Sequence, residues 1–80
     1  MNITVETVSG SVYIFTEING KKYVVKKDKW AGEVIAFQKS PIRREKCIEM
    51  VVRRTGIYNK NTPLIEPVNT TTVKEVYGTL

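Results

Sequence analysis

The side chains with most chemistry to offer in this 80-residue sequence are its thirteen lysines and arginines, set against eight acids and no histidine. Their placement is uneven. Residues 21 to 54 hold eleven of the basic residues (Lys21, Lys22, Lys26, Lys27, Lys29, Lys39, Arg43, Arg44, Lys46, Arg53 and Arg54) against Asp28, Glu33, Glu45 and Glu49, a net of +7, while the rest carries −2. A basic middle between faintly acidic ends sets up a directional field that draws nucleic acid, an anionic surface or an acidic protein.

Other chemistry is sparse. Without histidine the chain lacks the commonest general base and the commonest metal ligand. Cys47 is the one thiol, no activating base accompanies it, and it reads as a buried structural residue. One cysteine and no imidazole leave zinc without a ligand set. Glu45 and Glu49 read as solvated helix charges, with Glu49 placed to pair with Arg53 at i, i+4. The five glycines form neither a dinucleotide-binding nor a P-loop pattern. The chain is therefore expected to be non-enzymatic, with no catalytic residue, metal or cofactor.

These charges need elements to hold them. Residues 2–8 alternate Ile3 and Val5 with Asn2, Thr4 and Glu6, which predicts a half-buried strand. Residues 11–18 carry Val12, Ile14 and Ile18 on one side and Tyr13 and Phe15 on the other, as a central strand does. Asn19-Gly20 is the strongest short hairpin signal, because a two-residue type I′ turn needs positive φ at both positions. Residues 21–27 are then its return strand, and 33–38 add a fourth.

Ser40 as N-cap, Pro41 at the first helical position and Gly56 just past the end predict a helix over 41–55. Its core face would hold Cys47, Ile48, Val51 and Val52. Beside that face Arg43, Lys46, Met50, Arg53 and Arg54 would form a basic ridge. Residues 57–69, with two prolines, read as loop with short extended pieces. The valines and threonines of 70–80 favour a strand, while a Thr72 to Glu75 capping box keeps a short helix as the alternative. The expected fold is α+β: a single domain over 1–80, with a three- to four-stranded antiparallel sheet (2–38) on one main helix. As a pattern of elements over 11–55, this resembles double-stranded-RNA-binding domains, HicB-like antitoxins and the DNA-reading domains of phage integrases. No family motif transfers any residue.

Within that frame, Lys22, Lys26 and Lys27 on the return strand and Arg43, Lys46, Arg53 and Arg54 on the helix are the candidate phosphate contacts. Tyr13, Phe15 and Tyr23 would offer flat surfaces for base stacking. Lysines on an edge strand also block edge-to-edge pairing, and Trp30 reads as a core cap at a strand end. The partner class that follows is nucleic acid, bound through its backbone with little sequence readout. The alternative is a protein-interaction module, such as a small phage- or mobile-element-type inhibitor or adaptor, that binds an acidic protein surface. A lone cysteine, the absence of a basic segment followed by an apolar one after Met1, and short apolar stretches predict a cytoplasmic chain away from membranes. An open sheet edge is compatible with a monomer or a weak homodimer.

Overall fold

The computed structural model describes residues 2–41, 46–55 and 65–79, and these form an all-β protein. Its seven strands are β1 (Asn2–Thr7), β2 (Val12–Ile18), β3 (Lys21–Lys26), β4 (Trp30–Lys39), β5 (Glu49–Thr55), β6 (Ile65–Asn69) and β7 (Val73–Thr79). They make one antiparallel sheet in the order β6-β5-β4-β3-β2-β1-β7.

The Asn-Gly hairpin forms as its chemistry requires. Asn19 and Gly20 take φ of 51° and 81°, and Ile18 pairs with Lys21 across the turn. The α+β expectation is corrected: among the described residues no helix packs on the sheet, and Glu49–Thr55 is a strand. Residues 42–45 of the expected helix, Arg43 among them, lie outside the described residues. The resemblance built on a sheet followed by that helix lapses with it. The reason lies in period and pairing. Ile48, Met50 and Val52 alternate with Glu49, Val51 and Arg53, so a period of 2 fits this short window as well as 3.6 does. Pairing against β4 decides between the two, because it satisfies a ladder of backbone groups that a helix would leave open.

Sheet order forces the sheet to curl. Only Thr70, Thr71 and Thr72 separate β6 from β7, a reach of roughly 14 Å, yet the two strands sit at opposite edges of a sheet that would measure about 29 Å if flat. The edges therefore roll toward each other. Main-chain bonds hold the corner between them: Thr70 N to Ile48 O at 2.9 Å extends the β5–β6 ladder, Val8 N to Thr72 O at 2.9 Å extends the β1–β7 ladder, and Val73 N to Lys46 O at 2.7 Å bridges the two sides. The buried Thr70 hydroxyl accepts from Ile48 N at 2.9 Å, so this polar side chain completes the ladder where no strand does. Register shifts in β4 at Val34/Ala36 and Phe37/Lys39 help the ten-residue strand bend round the core.

The inward face is the core: Ile3, Val5, Tyr13, Phe15, Val24, Val34, Ile48, Met50 and Val52, with Trp30, Phe37, Val68 and Val73 against it. Gly32 of β4 pairs with Arg54 of β5 and leaves no room for a side chain. A Cβ there would collide with Val52 Cγ1 and come 2.8 Å from Arg53 O. Two expectations about the core change with the strand: Met50 is buried while Val51 and Cys47 are only half-buried. The Lys39 ammonium lies 3.9 Å from the Cys47 sulfur. No helix among the described residues is long and apolar enough to cross a membrane.

Candidate nucleic-acid interface

Because β2 pairs with both β1 and β3, the β1–β2 and β3–β4 turns emerge at the same end of the sheet. Main-chain bonds set both. In the first, Thr7 N donates to Ser11 O and Gly10 N to Thr7 O, each at 3.0 Å, and Ser11 N reaches the Thr7 hydroxyl at 3.2 Å. In the second, Lys29 N donates to Lys26 O at 2.9 Å while Asp28 takes a φ of 63°, a left-handed conformation aspartate accepts more readily than most residues. Lys27 N donates to Val12 O at 2.9 Å and ties this turn to β2.

Between the turns lies a cavity of about 320 Å³ lined by Ser9, Gly10, Ser11, Val12, Lys26, Lys27, Asp28 and Lys29. Its lining includes three lysines and one aspartate. Next to it, at the same end of the inward face, Lys26 Nζ sits 5.5 Å from the centre of the Tyr13 ring and the Arg54 guanidinium 5.0 Å from that of Trp30. Tyr13 meets Trp30 edge-on at 6.4 Å. Arg54 Nε lies 2.5 Å from Glu66 Oε1 across β5 and β6, so this cation is held and partly neutralised.

The fold thus gathers Lys26, Lys27 and Arg54 at one end. Lys22 lies four residues back along β3, about 13 Å away, across from Glu17 and 6.0 Å over the Phe37 ring. Arg53 points outward between Glu33 and Ile65, and Lys46 lies at the β6–β7 corner, where its carbonyl accepts from Val73. Tyr23 is half-buried on the outward face between Thr16 and Glu33. Tyr13 and Phe15 are 4% and 1% exposed, so their rings serve the core and present no face to a base. The ridge expected beside a helix face dissolves, since β5 sends Arg53 and Arg54 to opposite sides.

Lys29, Ser9 and Ser11 complete the cavity and were not singled out from the sequence. Their signal was topological: in consecutive hairpins, alternate turns share an end, so residues 9–11 and 27–29 become neighbours. Among the described residues no group of three or more cysteine, aspartate or glutamate side chains is placed to hold a metal ion. What the arrangement offers is a concave, positively charged, hydroxyl-bearing surface beside an aromatic ring. Comparison of the chain with protein-family models, curated proteins and solved structures finds no match.

Proposed function

We propose that this chain is a small non-enzymatic protein that binds nucleic acid through its phosphates at the end carrying the 8–11 and 27–29 turns. The observation that carries the reading is the convergence of Lys26, Lys27 and Lys29 on one cavity. Lysine meets phosphate as a compact charge and leaves base identity largely unread, whereas Arg54, the forked group nearby, is engaged by Glu66. Trp30, half-buried beside these cations, is the aromatic group best placed to meet a base. The cytoplasm is the compartment this reading implies.

The test is binding of labelled single- and double-stranded DNA and RNA at two salt concentrations. Affinity should fall steeply with salt, and the double variant Lys27→Ala/Lys29→Ala should lose most of it. No binding at roughly 10 µM protein in low salt contradicts the proposal, since nonspecific binders register at that level.

A second reading has its own observation. Cross-strand register aligns Tyr77, Thr4, Ile14 and Val25 on the outward face, where Tyr77, Ile14 and Val25 are 48%, 36% and 41% exposed. Exposed apolar side chains in register suit a protein partner, and the chain's net charge of +5 suits an acidic one. In that case Ile14→Asp/Val25→Asp abolishes partner binding while Lys27→Ala/Lys29→Ala retains most of it.

A further inference from the structure

We infer that the cavity between the two turns is a subsite for a terminal phosphate, so that phosphorylated strand ends bind more tightly than hydroxyl ends. The inference rests on the nucleic-acid reading above and adds the chemical group that the site selects. Its volume, about 320 Å³, is several times the roughly 30 Å³ share of one water, room enough for a phosphate and part of its sugar.

The lining favours the more highly charged group. A phosphomonoester carries about −1.5 to −2 near neutral pH and three acceptor oxygens, whereas a diester within a strand carries one negative charge. Three lysines, opposed by Asp28 alone, match the former. The walls are preset by the backbone bonds within each turn and by the Lys27 to Val12 bond between β3 and β2. The Ser9 hydroxyl lies 3.0 Å from that of Thr7 and 2.8 Å from that of Thr71, which ties the first turn to the β6–β7 corner. Little ordering is then left for the ligand to impose.

Asp28 supplies the most discriminating probe. Asparagine tolerates the left-handed backbone that Asp28 adopts, so Asp28→Asn removes a negative charge from the cavity without disturbing the turn. The experiment compares oligonucleotides of one sequence ending in 5′-phosphate, 3′-phosphate or hydroxyl, each labelled at the other end, by fluorescence anisotropy in low salt. One phosphorylated end should bind about three- to fivefold tighter than hydroxyl, as one further exposed charge pair supplies. Asp28→Asn should widen that ratio, Lys27→Ala/Lys29→Ala should abolish it, and Arg53→Ala, on the outward face, should leave it unchanged.

Equal binding of all three ends, or variants that shift all three alike, overturns the subsite while leaving the nucleic-acid reading intact. If no oligonucleotide binds, that reading fails and inorganic phosphate decides the subsite by itself. Amide shifts confined to residues 9–11 and 26–29 on titration with phosphate support it, and their absence overturns it.

Discussion

The two basic segments of this protein, residues 21–29 and 46–54, end in opposite situations. In the first, Lys27 and Lys29 pass beyond β3 into a turn, where the alternation of a strand no longer applies, and they converge with Lys26 on one cavity. In the second, Arg53 and Arg54 are consecutive on β5, so one faces outward beside Glu33 and the other inward against Glu66 and Trp30. Charges in a strand are divided between two faces, and charges in a turn can be gathered. A count of basic residues therefore says less about a binding site than their positions relative to strand ends.

The largest test of that contrast concerns β5 itself. Met50, 1% exposed on the inward face, should cost about 2–5 kcal/mol when changed to alanine, whereas Val51→Ala, half-buried on the other face, should cost under about 1 kcal/mol. Urea denaturation of the two variants measures both. The reverse order would mean a helix, with Val51 in the core and Met50 beside it.

A smaller effect is expected at Arg54. Replacing it with alanine removes the cation stacked on Trp30 and strands the Glu66 carboxylate, which is 20% exposed. Because the pair keeps some contact with water, the cost should be about 1–2 kcal/mol, below that of a fully buried pair. Trp30 fluorescence should change with it. Arg53→Ala should stay within about 0.5 kcal/mol and leave the emission as it was, and equal effects from the two would erase the distinction between the faces.

The smallest effect lies at the acidic edge, where Glu6 and Glu75 are cross-strand neighbours and Lys74 reaches Glu6 at 3.5 Å. The Tyr77 hydroxyl donates to the Glu75 carboxylate. That bond, with desolvation and the negative charges of Glu75 and Glu6, raises the Tyr77 pKa above its ordinary value of 10.0. A raised phenol pKa means that the folded state holds its proton more tightly than the unfolded one. The associated stability is present below pH 10 and is lost as pH climbs through the folded value. Ultraviolet titration should show Tyr77 ionising at lower pH in Glu75→Gln than in the parent, and identical curves would exclude the bond.

How far the fold could be read from the sequence depended on how local its signals were. The Asn19-Gly20 turn fixes its strands through two adjacent residues, and β2 and β3 pair as that turn requires. Residues 40–55 carry signals with two meanings. Ser40-Pro41 opens helices and turns alike, and the apolar residues from Cys47 to Val52 satisfy either period over so short a span. What settles them is β4, a distant strand whose free side needs a partner. Pro67 made its surroundings look like loop, but it stands on the edge strand β6, where a missing N–H can face away from the ladder.

The site was legible in proportion. Lys26 and Lys27 stand out by composition, while Ser9, Ser11 and Lys29 join them only once two hairpins place their turns side by side. Tyr13 and Phe15 were ambiguous because β2 carries apolar groups on both faces. Rolling the sheet put these two inside and left Ile14 and Ile18 outside.

The central claim is that the gathered lysines, and not the divided arginines, meet phosphate. Its most direct test is the salt dependence of single-stranded DNA binding in the parent, Lys27→Ala/Lys29→Ala and Arg53→Ala. Three phosphate contacts predict a slope of log affinity against log salt near −2, an approximately twentyfold loss from 50 to 200 mM. The lysine variant should flatten that slope by about 1.4, and Arg53→Ala should leave it unchanged. A slope that Arg53→Ala flattens and the lysine variant does not, or no binding by the parent at roughly 10 µM in low salt, would contradict the account.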